Sequence, residues 1–193
     1  MIPTKSQQLV KTAHSRHYLT MKEYLTDAIV LDTEDADLDR IFFLYTSELG
    51  KIRAKAKSAR KITSKLAGHL EPLSMTKVRL IEKNGFQIVD AILIRRFDAS
   101  PRAIELLQFI KEMTFETLQD KKIWLTLKKS FEEIKEDRFS LKPLLGMLGF
   151  APDFAACAVC KNKAIKYFSP KEQVFFCSAC ARKIGKNEVV SIE

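Results

Sequence analysis

The 193-residue sequence carries 33 Lys and Arg against 24 Asp and Glu, a net charge of +9, and is 46% apolar and 30% charged. It is too apolar for a disordered chain, its length suits one domain or two small ones, and no run of 18 apolar residues offers a membrane-spanning helix. The excess of positive charge makes a polyanionic partner the first expectation.

Residues 1–20 hold Lys5, Lys11 and Arg16, no acid and no apolar core of the signal-peptide kind. They read as a basic tail, with Met21 as an alternative start. Ala28-Ile29-Val30-Leu31 then reads as a buried strand, the acidic stretch Asp32 to Asp39 as a loop, and Ile41 to Tyr45 as a second strand. Ser47 to Gly50 forms a turn in which Gly50 can take positive φ. Next, Lys51, Arg53, Lys55 and Lys57 alternate with Ile52, Ala54 and Ala56. Period two places these cations on one face of a third strand. Residues 51–65 hold seven cations, Arg60, Lys61 and Lys65 included, and no acid. A short helix over 64–70 precedes two further strands, Met75 to Ile81 and Phe86 to Ile94, joined at Asn84-Gly85, a type I′ turn signal. Five strands with a short helix after the third match the order of an OB-type barrel. Spacing alone also fits an SH3-like barrel or a small sandwich.

The pattern turns helical at Ser100-Pro101, a good N-cap followed by a residue tolerated at the first helical position. Ala103 to Met113 has helical spacing, and a second amphipathic run places Ile123, Trp124, Leu127, Phe131 and Ile134 opposite Lys121, Lys122, Lys128 and Lys129. A third helix is expected from Ser140 to Leu148, with Gly149 as its stop. The fold class is therefore α+β: a basic tail over 1–20, a five-stranded barrel over 21–97, and a small helical domain over 98–193.

All four cysteines of the sequence fall in two CxxC knuckles, Cys157/Cys160 and Cys177/Cys180, separated by 16 residues. Such spacing suits a four-cysteine zinc finger over 157–180, because two tight turns of paired thiolates complete a tetrahedron of soft ligands. Clustered cysteines also argue against a secreted disulfide scaffold. Four thiolates leave no open position, so the expected cofactor is one structural, non-catalytic Zn2+.

Several strings carry a family resemblance. They are Thr26 to Leu31, Thr46 to Lys51, Ala56 to Arg60, Leu66 to Pro72, Leu148 to Pro152, the two knuckles and Phe168-Ser169-Pro170. In this order the chain resembles the RecO family, bacterial recombination mediators of DNA repair in the RecF pathway. The resemblance implies an N-terminal OB fold and a helical C-terminal domain with a zinc finger. It implies binding of single- and double-stranded DNA and annealing of complementary strands. It further implies partnership with RecR and with the acidic tail of single-stranded DNA-binding protein, help in loading RecA, and a place in the bacterial cytoplasm at the nucleoid. Only residues 181–193 follow the second knuckle, so the resemblance carries the tail-binding surface less far than the DNA-binding one.

On that reading, Lys51, Arg53, Lys55 and Lys57 form a ladder with rungs about 6.6 Å apart, twice the strand rise. Such a ladder can track phosphates and release counterions. Arg60, Lys61, Lys65, Lys77, Arg79, Arg95 and Arg96 widen the surface. Phe42, Phe43, Tyr45, Phe86 and Phe97 are candidates for base stacking or, as in most small barrels, for core. No phosphate-binding Walker loop or GxSxG is present, and no catalytic residue is assigned. Two other classes stay open: a zinc-ribbon nucleic-acid enzyme such as a nuclease or glycosylase, and a protein-interaction adaptor.

Overall fold

A computed structural model describes residues 21–37, 39–57, 66–185 and 188–193. Arg60, Lys61 and Lys65 lie outside the described residues, as does the tail over 1–20.

Five strands close into a barrel: β1 (Lys22–Ala36), β2 (Asp39–Thr46), β3 (Gly50–Ala56), β4 (Ser74–Glu82) and β5 (Phe86–Arg96). Their order around the barrel is β1-β2-β3-β5-β4, with β4 returning to β1. All pairs are antiparallel except β3 with β5, which run parallel at Ala54↔Phe86 and Lys55↔Gln87. This is the order of an OB-type barrel, and it decides among the architectures that strand spacing left open.

The 15-residue β1 serves two neighbours. Its first half pairs with β4 and its second half with β2, with a register shift between Val30 and Asp32. The acidic stretch expected as a loop is therefore strand through Ala36. Asp32, Glu34 and Asp35 stand opposite Phe43, Ile41 and Arg40, and cross-strand pairing with the apolar β2 outweighs the weak strand preference of acids. The helix expected over 64–70 is, among the described residues, a single 3-10 turn at Ala67–His69. The β4–β5 connection has three residues, Lys83 to Gly85, between the paired Glu82 and Phe86. It is thus longer than a two-residue type I′ turn, although Asn84 and Gly85 both take positive φ.

Gly50 opens β3 at φ +68°, and a Cβ there would lie 2.1 Å from the carbonyl oxygen of Leu118. The glycine lets the segment before the second helix close over the barrel, where Thr117 N–H donates to Lys51 O at 2.8 Å.

Three helices follow: α1 (Pro101–Met113), α2 (Lys121–Lys135) and α3 (Lys142–Met147). Ser100 caps α1 by accepting from Ala103 N–H, and Asp120 caps α2 by accepting from Lys122 and Ile123 N–H. The knuckles bracket a hairpin of β6 (Ile165–Ser169) and β7 (Val174–Cys177); the one-turn helix α4 (Ser178–Ala181) carries Cys180, and β8 (Val190–Ser191) adds to the far side of β6.

One cluster fills the barrel with Val30, Phe42, Leu44, Ile52, Val78, Leu80 and Ile88. A second joins barrel residues Ile29, Leu31, Tyr45 and Met75 to the buried faces of α1, α2 and α3, and to Phe168, Phe175 and Ile192. The expected division near residues 95–100 lies between β5 and α1, and this second core runs across it. No helix among the described residues is long and apolar enough to cross a membrane.

Candidate metal centre and nucleic-acid interface

The first knuckle is a tight turn closed by Lys161 N–H donating to Cys157 O at 3.0 Å and Cys157 N–H donating to Asn162 O at 2.8 Å. The second runs from the end of β7 into α4. Together they bring the four cysteine Sγ atoms within 4.8 Å of one another. Cys160 and Cys177 Sγ are 3.6 Å apart, and all four thiols are free. That separation is far beyond the bond length of a disulfide, about 2.05 Å. It is close to the edge of a tetrahedron with bonds of about 2.3 Å, roughly 3.8 Å.

The thiols share charge unequally. Burial pushes Cys157 up, but the backbone N–H groups of Cys160, Cys177 and Val159 outweigh it and lower the thiol to about 6. The backbone N–H of Cys180 likewise lowers Cys177. The Cys160 sulfur, aided by burial, pushes Cys180 up to about 12. Amides aimed at sulfur stabilise thiolates, while four negative charges within 4.8 Å of one another would repel. A divalent cation among them resolves that conflict, so the donor set fits one metal ion.

The cations named from sequence divide between two walls of the barrel. Arg53 and Lys55 stand on β3 in line with Phe43 and Ile41 of β2. The next strand in each row supplies an acid, Asp32 beside Phe43 and Glu34 beside Ile41. Arg53 meets Glu34 at 3.9 Å, and Lys55 meets Asp39 at 2.8 Å. The run is free of acids along the chain but not across the sheet. Lys51 differs from its neighbours on β3: it is half-buried, and its ammonium donates to the carbonyl of Lys111 near the end of α1. Burial lowers its pKa. Lys57 follows β3 and is exposed.

Lys77 and Arg79 lie on the other wall, on β4, where they meet Asp27 at 3.5 Å and Glu23 at 3.3 Å. Arg95 and Arg96 end β5. Arg95 pairs with Glu132 of α2 and lies over the Phe97 ring at 5.0 Å, while Arg96 donates to Gly68 O at 2.8 Å. The structure thus does not gather the described cations onto one face.

Among the candidate stacking residues, Phe42, Tyr45 and Phe97 are core. Phe43 is half-buried beneath Lys111, 4.2 Å from its centroid, and Arg53 at 5.9 Å. Phe86 packs edge-on against Tyr24. The prominently exposed phenylalanines lie elsewhere: Phe115 at 78% and Phe154 at 93%. Phe115 and Leu118 border a 360 Å3 cavity lined also by Tyr45, Ile123 and Phe150, with Glu112 and Asp120 as its acids. Burial, then Asp120, pushes Tyr45 up to about 12. Sequence reading missed this cavity, because its lining comes from segments far apart in the chain.

Comparison with known proteins settles the family. The model described as "Recombination protein O N terminal" matches residues 21–97, and "Recombination protein O C terminal" matches residues 136–193. The DNA repair protein RecO of Dehalococcoides mccartyi is 30% identical over 177 residues, covering 82% of this chain and 70% of its own length. The chain belongs to the RecO family of DNA repair proteins. RecO of Caldanaerobacter subterraneus is 27% identical over 179 residues, 83% of this chain and 72% of its own. RecO of Thermodesulfovibrio yellowstonii is 29% identical over 175 residues, 82% and 70%. The two RecO models fall on the barrel and on the region from the end of α2 through the knuckles to β8. Helix α1 and the body of α2 lie between them.

Proposed function

We propose that this RecO-family chain is a non-enzymatic DNA-binding mediator of the RecF pathway, acting in the bacterial cytoplasm. It anneals complementary single strands and, with RecR, assists RecA loading on DNA coated by single-stranded DNA-binding protein. The observation that carries this reading is a closed OB-order barrel with cations along β3 in a chain of this family. Arg53, Lys55 and Lys57 are the phosphate contacts of one wall and Arg79 of the other; Arg95 and Arg96 at the end of β5, together with Arg60, Lys61 and Lys65, complete the set. Lys51 serves chiefly to fasten β3 to α1.

The ion pairs on the barrel do not argue against DNA. Exposed pairs such as Arg53–Glu34 contribute only about 0–1 kcal/mol. A phosphate strand that releases several counterions together can displace such carboxylates. The knuckles, in this reading, hold one structural Zn2+ through Cys157, Cys160, Cys177 and Cys180. The metal fastens the hairpin that supplies Phe168 and Phe175 to the shared core.

The test is single-strand affinity measured by fluorescence anisotropy as salt is raised. Roughly four to six phosphate contacts give a log–log slope of about −3 to −4. A flat response would contradict binding through these cations.

A further inference from the structure

The barrel cations Arg53, Lys55, Lys77, Arg79 and Arg95 each meet a carboxylate. The first half of α2 differs. Its apolar arc, including Ile123, Trp124, Leu127 and Phe131, is buried. Its outer arc carries Lys121, Lys122, Leu125, Lys128 and Lys129, at i, i+1, i+4, i+7 and i+8, and no acid occurs from Lys121 to Phe131. Among the described residues Lys121, Lys122 and Lys128 make no ion pair, while Lys129 meets Glu133 at 2.9 Å. Leu125 is 54% exposed between the two lysine pairs. The pairs stand seven residues apart, about 10.5 Å along the helix.

Because the apolar arc is already buried, the helix has no face left to insert into a lipid surface. The lysine arc is convex, and none of its four lysines lines the 360 Å3 cavity. Lysine ammonium groups bind phosphate as point charges, without a pocket or a fork, and four of them spread along a helix match a continuous line of phosphates, which they bind without regard to sequence. The arc also adjoins the barrel, since Glu132, one turn beyond Lys128 and Lys129, pairs with Arg95 at the end of β5.

We propose that this face of α2 holds the phosphate backbone of a second DNA strand while the barrel wall holds the first. The inference rests on the annealing function proposed above, which requires two mutually repelling strands to share one cationic body.

The test is a fourfold variant, Lys121→Ala with Lys122→Ala, Lys128→Ala and Lys129→Ala. Alanine preserves helix propensity, and far-UV circular dichroism and thermal melting confirm the fold. Affinity for one short single strand and the annealing rate of bare complementary strands are read in parallel. Single-strand affinity is expected to change less than about threefold, while annealing slows about tenfold or more and its salt slope becomes shallower by about 3. The corresponding Lys→Arg variant should anneal at the normal rate. Normal annealing by the alanine variant would overturn the inference and leave the proposed function standing. Equal losses of single-strand affinity and annealing would also overturn it, because both surfaces would then hold one strand. Loss confined to strands coated with single-stranded DNA-binding protein would contradict DNA as the occupant and assign the face to an acidic protein tail. A wild-type chain that neither binds nor anneals DNA would overturn the proposed function itself, and the inference with it.

Discussion

Gly50 shows how much one residue can decide. At φ +68°, with the Leu118 carbonyl 2.1 Å from where a Cβ would stand, it sits where both backbone and space exclude a side chain. Gly50→Ala should destabilise the protein by at least about 1–2 kcal/mol from the left-handed conformation alone, with a further loss as residues 117–119 are displaced. Urea unfolding measures it; an unchanged midpoint would contradict this role. Arg53 and Lys55 act at the same scale. Arg53→Ala and Lys55→Ala should each make the single-strand salt slope shallower by about 0.7, alike for every DNA sequence. The turn at Gly50 and the Ser100 cap were legible in the sequence, because each depends on a residue type at a fixed local position. The acids facing Arg53 and Lys55 were not, because cross-strand neighbours depend on register, which the run from Lys51 to Lys57 does not encode.

Among the elements, the knuckle hairpin couples metal to core. Phe168 is fully buried and meets Phe150 at 4.9 Å, Phe175 at 5.0 Å and Phe109 of α1 at 6.3 Å. Phe168→Ala should cost about 3–5 kcal/mol, although the residue lies outside the barrel and touches no proposed DNA contact. A strong chelator, or Cys160→Ser, should lower the melting temperature together with metal content, read by elemental analysis at one ion per chain before removal. Full thermal stability in metal-free protein would contradict a structural metal. The CxxC spacing made the site readable at once, since its chemistry is local. Strand β8 was not readable: Val190 and Ser191 form no pattern by themselves and become a strand only by pairing with Phe168 and Tyr167. The acidic half of β1 is hidden for the same reason, because β2 supplies its strand character.

In the molecule as a whole, the core does not respect the division suggested by composition. Ile29, Leu31, Tyr45, Leu73, Met75 and Phe97 belong to the barrel segment yet pack with α1, α2 and the knuckle hairpin. A chain of residues 21–97 alone would expose that face, and should be much less stable than the whole or should aggregate. The intact chain should unfold in one cooperative transition, with equal calorimetric and van't Hoff enthalpies. Two separated transitions would contradict the shared core. Such a joint core gives the barrel wall and α2 a fixed relation, which annealing on two cationic surfaces requires. The most direct measurement is the annealing rate of complementary strands, bare and precoated with single-stranded DNA-binding protein, with and without the chain. Acceleration in both settings is the predicted result; no acceleration in either would contradict the annealing account.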